Sequence, residues 1–194
     1  DAISVKLNIT GNSTINGAFV NGDGEKGKAT IVTESGTYSD LANAVAYAAD
    51  GATIKLAADL DLANTLIVTK KLTLDLDGHT IYNTKDIWNN ADGVKHWSLI
   101  SVRDNGDLTI TGNGTLKAKE NDCYAVDVQD GATLTIENGT FVGNIHAVYV
   151  YQGELTVKGG AYSIQQKYPD TAKADEFVLN CYDKHRTEGT AKIT

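Results

Sequence analysis

Apolar and polar residues alternate in short runs along most of this chain, and three consecutive stretches between residues 98 and 164 repeat one pattern. Each stretch contains an alternating segment, then a segment of the Leu-Thr-Ile type, then one of the Gly-Thr-Leu type. The leucines that mark the middle segment, Leu108, Leu134 and Leu155, are 26 and 21 residues apart. Repeats of this length, divided by Gly, Asn and Asp turns, are typical of a solenoid whose coils bury their apolar faces against one another.

Each repeat contains three short strand-like segments and no helical stretch, which predicts a coil made entirely of strands. Apolar residues at i and i+2 would point into the coil, and the polar residue between them would point outward. Successive coils would stack as parallel strands about 4.8 Å apart. The predicted fold class is therefore all-β, a right-handed parallel β-helix.

Residues 39–49 form the one predicted helix. Leu41, Val45 and Ala48 follow helical spacing, and Gly51 ends the run. A short amphipathic helix just before the first clear coil would cover the open end of the tube, where core side chains and strand edges would otherwise meet water.

The chain is predicted to divide into a β-rich leader or attachment segment, residues 1–35, and the parallel β-helix, residues 36–194. Within the leader, residues 7–15 closely match the middle of the first repeat and are consistent with an early coil, while the turn cluster that follows is equally consistent with a hairpin. Residues 192–194 have the pattern of a strand that starts another coil. We therefore expect the β-helix to continue beyond residue 194, or a partner to cover its open end.

Four segments of the chain carry a family resemblance: residues 36–45, 51–56, 72–81 and 134–141. They include Leu72-Thr-Leu-Asp-Leu-Asp-Gly-His-Thr-Ile81 and Leu134-Thr-Ile-Glu-Asn-Gly-Thr-Phe141. The chain resembles pectate-lyase-like β-helix proteins and, more narrowly, the surface-exposed or phage-borne β-helix domains of gut and Gram-positive bacteria. Such domains include polysaccharide lyases, galacturonases, adhesins and phage fibre or decoration proteins. The resemblance thus implies the fold and leaves the activity open.

The charge and composition of the chain limit the classes of partner that can be expected. Lys and Arg total 17 against 25 Asp and Glu, a net charge of −8, and no basic run is present, so nucleic acid is not an expected partner. The longest apolar runs are far shorter than the roughly 20 residues of a membrane span, so membrane insertion is not expected. With no methionine in the chain, Asp1 is expected to be a processed or excised end. That fits an extracellular, cell-surface or virion location.

Candidates for catalysis are few. A glycoside hydrolase needs two carboxylates about 5 to 9.5 Å apart across a sugar. Asp75 and Asp77 alternate on one predicted strand and would lie about 7 Å apart. The same Leu-Asp-Leu-Asp-Gly sequence is also typical of a solvated strand that enters a turn. The four histidines lack the spacing of a metal site, and neither a metal nor a cofactor is predicted. A carbohydrate-active lyase or hydrolase stays the alternative to a non-catalytic role.

Outward positions of the repeats predict two columns of polar and aromatic residues. The first column is Ser101, Asp127, Tyr149 and Asn180, and the second is Arg103, Gln129, Tyr151 and Tyr182. Such a surface would stack on and hydrogen-bond a glycan, although tyrosine also suits any exposed strand. The predicted ligand-binding residues are Tyr149, Tyr151, Tyr182, Arg103 and Gln129, together with Trp88 and Trp97 of the long insertion between residues 83 and 97.

A third column contains the threonines of the Leu-Thr segments, Thr109, Thr135 and Thr156. Flat threonine arrays occur on ice-binding β-helices, but threonine is also favoured in strands generally.

The sequence thus favours a non-catalytic, extracellular or virion-borne module for display or attachment, such as an adhesin, a phage fibre or a capsid decoration protein. A glycan or a host surface is its expected partner. Self-assembly into a homo-oligomer or a capsid or surface lattice, through residues 1–35 or the open C-terminal end, is a further expectation.

Overall fold

The computed structural model describes residues 6–9, 30–33, 38–87, 97–120, 123–166, 177–181 and 192–194. In these ranges the chain forms strands that wind repeatedly through three parallel sheets, with a single short helix. No helix in the described ranges is long and apolar enough to cross a membrane.

The strands follow one another coil by coil. The chain begins with β1 (Lys6–Ile9), β2 (Thr30–Thr33) and helix α1 (Tyr38–Tyr47). The first two coils are β3 (Ala52–Leu56), β4 (Leu60–Asp61), β5 (Leu66–Val68), then β6 (Lys71–Asp75), β7 (Thr80–Tyr82), β8 (Ser98–Val102). The next two are β9 (Asp107–Thr111), β10 (Thr115–Lys117), β11 (Tyr124–Val128), then β12 (Thr133–Ile136), β13 (Thr140–Gly143), β14 (His146–Val150). The last strands are β15 (Glu154–Val157), β16 (Ala161–Ile164), β17 (Phe177–Asn180) and β18 (Lys192–Ile193).

Each coil contributes one strand to each of three sheets. Sheet A has the order β1-β2-β3-β6-β9-β12-β15-β18, sheet B the order β4-β7-β10-β13-β16, and sheet C the order β5-β8-β11-β14-β17. All the recorded strand pairs are parallel. The predicted all-β solenoid of stacked parallel strands is therefore confirmed.

The core consists of inward residues that lie directly over one another from coil to coil. Leu134 lies opposite Leu108 on one side and Leu155 on the other, and all three are buried. In sheet B, Phe141 continues the stack of Leu116. Burying a Leu or Phe side chain contributes roughly 1.5–3 kcal/mol, so these repeated stacks account for much of the stabilisation of the tube.

Helix α1 packs its apolar face onto the tube beside β5 and β2. Leu41 and Val45, two of the residues that gave the predicted helix 39–49 its spacing, are buried in the common core. The helix ends two residues earlier than expected. Near this end, the Lys70 ammonium donates a hydrogen bond of 2.7 Å to the carbonyl oxygen of Ala46, one of the groups that a helix C-terminus leaves without an internal partner.

Two strands from the predicted leader extend sheet A. Residues 30–33 pair in parallel with β3, and residues 6–9 pair in parallel with residues 30–33. The turn cluster of the alternative hairpin lies outside the described residues. The boundary between a leader and the β-helix stays a prediction.

Candidate functional site

Sheet C differs from sheet A because its central strands are buried on both faces. All five residues of β8 and all five of β11 are buried, whereas burial alternates along β9 and β12 of sheet A. The outward side chains of sheet C therefore form a second packed layer outside the tube. The candidate site lies in this layer.

The longer strands of sheet C bend near their starts. In β11, the consecutive residues Ala125 and Val126 both belong to the core, which a strictly alternating strand would not allow. Tyr124 nevertheless contacts Tyr149, the residue opposite Asp127 in the ladder. Tyr124 and Asp127 thus share the outer side of the sheet, one before the bend and one after it.

The neighbouring strands repeat this order of one outward, two inward and one outward residue. In β8 the inward pair is Leu99 and Ile100, and in β14 it is Ala147 and Val148. Ser98 and His146 are therefore the counterparts of Tyr124. The bend adds one outward residue per strand, and these residues widen the polar and aromatic layer.

Asp127 is the centre of the polar part of this layer. Its side chain is 1% exposed. Oδ2 accepts a hydrogen bond of 2.5 Å from the Ser98 hydroxyl, and Oδ1 accepts one of 2.7 Å from the Ser101 hydroxyl. Gln129 Nε2 also donates to Oδ1, at 2.7 Å. Side chains from two adjacent strands thus satisfy a carboxyl group that water does not reach.

Burial raises the pKa of Asp127 above its ordinary value. The hydrogen bonds from Ser98, Ser101 and Gln129 and the positive charge of Arg103 act in the opposite direction, but removal from water is the larger effect. The fold therefore favours the protonated form of this carboxyl group over a wider pH range than an exposed aspartate would allow.

The ladder confirms the predicted register of the first column: Ser101, Asp127, Tyr149 and Asn180 are successive partners. The expected exposure of the columns is found only in part. Ser101, Asp127 and Asn180 are buried, and Arg103 is only 6% exposed. Gln129, Tyr149 and Tyr151 remain partly exposed. The outer layer itself covers much of what was expected to be solvated surface.

Four rings form a row, which we call the aromatic row: Tyr151, which follows β14, Tyr149 and His146 of β14, and Phe177 of β17. Successive ring centroids are 6.4, 5.5 and 6.3 Å apart, and successive planes are inclined by only 17°, 17° and 24°. Tyr124 lies 5.4 Å from Tyr149 and 4.9 Å from His146. The spacing is within the range of favourable aromatic pairs.

Trp97 joins the aromatic row through Tyr124, with ring centroids 6.1 Å apart and an edge-to-face angle of 77°. The sequence suggested Trp97 and the tyrosine column as separate candidates, and the structure places them in one continuous cluster. Trp88 and Tyr182 lie outside the described residues.

His146 is held firmly at the middle of the aromatic row. Its Nδ1 lies 3.1 Å from the carbonyl oxygen and 3.2 Å from the amide nitrogen of Phe177, so either neutral tautomer binds that backbone. Its Nε2 lies 3.1 Å from the Asn180 amide. Gly143 allows the preceding turn, because a Cβ there would come within 1.6 Å of the His146 carbonyl oxygen.

The sequence did not indicate Tyr124 or His146 as site residues. It also did not indicate that Asp127 is the buried centre of the layer. A signal was present in the repeats: Ser98, Tyr124 and His146 each precede a pair of inward apolar residues at the same point. Strict alternation assigns one member of that pair to the outside, which hides the residue before it.

The carboxylates proposed as weak catalytic candidates lie on sheet A and the turn that follows it. Asp75 Oδ1 accepts a hydrogen bond of 3.0 Å from the backbone N–H of Asp77. Asp77 has φ of 45°, and its Oδ2 lies 2.8 Å from the Lys55 ammonium. Both side chains therefore take part in a tight turn, as Asp commonly does.

Among the described residues, no three His, Cys, Asp or Glu side chains form a group that could hold a metal ion. Comparison with models of known protein families, with curated proteins and with solved structures found no match. The fold and the geometry of sheet C are thus the basis for a functional interpretation.

Proposed function

We propose that the chain is a right-handed parallel β-helix of the pectate-lyase-like kind, and that it serves as a non-catalytic module for display and attachment. Its setting would be extracellular, on a cell surface or on a virion, in an adhesin, a phage fibre or a capsid decoration protein. Right-handed winding is supported by the strong preference of parallel strands for right-handed crossovers.

The aromatic row is the observation that carries this proposal. It places partly exposed Tyr149 and Tyr151 on a rigid tube, and it continues to Phe177, which is 45% exposed. Aromatic faces with a few polar groups beside them are typical of binding surfaces for sugars and proteins. In the proposed role, this face contacts a glycan or a host surface.

The contacts that the Asp75 and Asp77 carboxylates make in the structure support the proposed non-catalytic role. A hydrolase would need one of these carboxyl groups to protonate or attack a sugar. Here Asp75 accepts the Asp77 N–H and Asp77 pairs with Lys55, which gives each carboxylate a structural role in its own turn.

Two assays test the proposed function. A reducing-end assay over a broad panel of neutral and acidic polysaccharides should detect no cleavage. Attachment to immobilised glycans or host cells should be lost in Tyr151→Ala and kept in Tyr82→Ala, a matched tyrosine substitution on sheet B. Cleavage that disappears in Asp77→Asn would establish the enzymatic alternative.

Assembly through residues 1–35 or the C-terminal end stays a separate prediction. Light scattering of the full chain, compared with a variant that lacks residues 1–35, would test it. A monomer in both cases would contradict self-assembly.

A further inference from the structure

We infer that the groove between helix α1 and strand β5 binds an extended peptide segment of another polypeptide, which adds a strand to the free edge of sheet C. The groove lies at the opposite edge of this sheet from the aromatic row, because β8 and β11 separate β5 from β14. Binding there would be independent of the proposed attachment function. Three features support a peptide site: the unpaired edge, the cavity beside it, and the charge at its rim.

Strand β5 is the free edge of sheet C. It pairs with β8 on one side, and the described residues provide no strand on the other. The carbonyl oxygen of Val68 accepts the N–H of Arg103, so the main-chain groups of Val68 face β8. Successive residues of a strand direct these groups to opposite sides, and Ile67 therefore directs its N–H and C=O away from β8. An added strand would meet a donor and an acceptor there.

This edge lacks the protection that free edges commonly have. All three residues of β5 are apolar, and Ile67 is 38% exposed. By contrast, the edge strand β4 of sheet B contains Asp61, which accepts hydrogen bonds from the N–H and the hydroxyl group of Thr84. Charged residues on an edge discourage a further strand from pairing, whereas an exposed apolar edge favours it. The composition of β5 is therefore that of an edge covered by a partner strand.

A cavity of about 410 Å³ lies between α1 and β5, beside this edge. It is lined on the helix side by Ala42, Val45 and Ala46, and on the strand side by Leu66 and Ile67. Because Ala42 and Ala46 are four residues apart, their small side chains lie on the same face of the helix and leave space next to the strand. Strand addition combines main-chain hydrogen bonds with pockets for alternate side chains. The cavity would receive an apolar side chain of the added strand.

The rim of the cavity carries a positive charge. Thr69 and Lys70, which follow β5, also line the cavity. The Lys70 ammonium donates hydrogen bonds to the carbonyl oxygens of Ala46 and Ala48, at 2.7 and 3.2 Å, and these bonds hold it at the C-terminal end of the helix. An ammonium group has three donors, so a third is available to a carboxylate. We therefore expect the bound peptide to carry an acidic residue near its apolar one.

Fluorescence anisotropy with short labelled peptides tests the inference. The probes have the form Asp-X-Thr-X-Asp, in which X is Val, Ile, Leu or Phe, so that either strand direction brings a carboxylate near Lys70. We expect saturable binding of at least one of these probes and no binding of the matched peptide with Ser at both X positions. Methylation of every backbone nitrogen of the bound probe should weaken binding at least about tenfold, because it removes the main-chain donors and keeps the side chains.

Variants of the protein connect binding to the groove. Ala46→Leu fills the cavity from an exposed helix position and should abolish binding, while leucine suits a helix nearly as well as alanine. Ala161→Leu places the same side chain at an exposed position of β16, the edge strand at the other end of sheet B, and should leave binding unchanged. Thermal unfolding of each variant separates loss of binding from loss of folding.

The charge at the rim has its own test. A probe with Lys in place of both Asp residues should bind more weakly than the Asp probe. This difference should shrink in Lys70→Gln, because the variant removes the cation and keeps a hydrogen-bond donor. An equal difference in both proteins would contradict the assigned role of Lys70.

Several outcomes would overturn the peptide site. Binding of none of the apolar probes would do so, as would unchanged binding in Ala46→Leu. Equal binding of the methylated probe would indicate an apolar contact without strand addition. A dimer that Ala46→Leu converts to a monomer, without binding of any probe, would assign the groove to a second copy of this chain instead. The attachment function is tested separately by Tyr151→Ala and does not depend on these results.

Discussion

Sheets A and C are built from the same coils, yet their outer faces have different organisation. On sheet A the outward residues alternate with buried ones and remain partly exposed, as along β9 and β12. On sheet C the outward residues pack a second time, so that β8 and β11 are buried throughout. The difference shows that the inner stacks determine the tube, whereas the outer layer of one sheet provides the distinctive surface.

Sheet A has the character of a structural face. Its threonine column extends beyond the three predicted rungs and contains Thr53, Thr73, Thr109, Thr135 and Thr156 in continuous register. Paired charges flank it: Lys71 Nζ lies 2.6 Å from Asp107 Oδ2, and Lys158 Nζ lies 2.9 Å from Glu137 Oε1. Threonine columns and opposite charges across strands both stabilise parallel ladders.

Two long connections lead into sheet C. The chain between β7 and β8 and the chain between β16 and β17 both pass from sheet B to sheet C. Both predicted insertions thus lie in connections that join the same two sheets. Long connections from a regular scaffold are where binding residues commonly lie, which agrees with the assignment of the site to this sheet.

Truncation of a core stack should have the largest effect on either sheet. Leu134→Ala removes a fully buried side chain between Leu108 and Leu155 and should lower the free energy of unfolding by about 3 kcal/mol. Guanidinium chloride unfolding measures it. The adjacent outward substitution Thr135→Ala should cost less than about 1 kcal/mol. Equal losses at the two positions would contradict the assigned inward and outward faces.

Loss of the Asp127 carboxyl group should have the next largest effect, because it is confined to the packed outer layer of sheet C. Asp127→Ala leaves the donors of Ser98, Ser101 and Gln129 without their shared acceptor and should cost about 2 kcal/mol. Asp127→Asn keeps an acceptor and should cost less. If the alanine variant unfolds like wild type, the buried network is not a source of stability.

The pH dependence of stability should also differ between the two faces. A folded-state pKa raised above the unfolded value means that the folded protein binds the proton more tightly. The contribution of Asp127 is therefore fully present below the ordinary carboxyl range and is lost as pH rises through its raised pKa. Relative to Asp127→Asn, wild type should lose stability as pH rises from about 4, the ordinary range of an aspartate carboxyl group, through the raised pKa of Asp127. A difference that is constant or that grows in favour of wild type would contradict the raised pKa.

The sequence predicted the inner stacks well because they depend on a local alternation of period two, which Leu108, Leu134 and Leu155 display directly. It also predicted which residues lie opposite Asp127 in the strand ladder, because the register follows once the coils are aligned. It could not predict the burial of Asp127 or Arg103, because covering an outward residue depends on side chains from other coils. The bends beside Tyr124 and His146 change the alternation, so these residues were missed for a local reason.

The smallest expected effect concerns the threonine column of sheet A. Thr135→Val keeps the β-branched shape and removes only a hydroxyl from a partly exposed position, so the free energy of unfolding should change by less than about 0.5 kcal/mol. Calorimetric or denaturant unfolding of this variant, beside Asp127→Ala, compares the two outer faces directly. The hydroxyl oxygens of Thr156 and Thr194 lie 3.0 Å apart. A loss as large as that of Asp127→Ala would mean that hydroxyl contacts of this kind stabilise the column as strongly as the buried network stabilises sheet C.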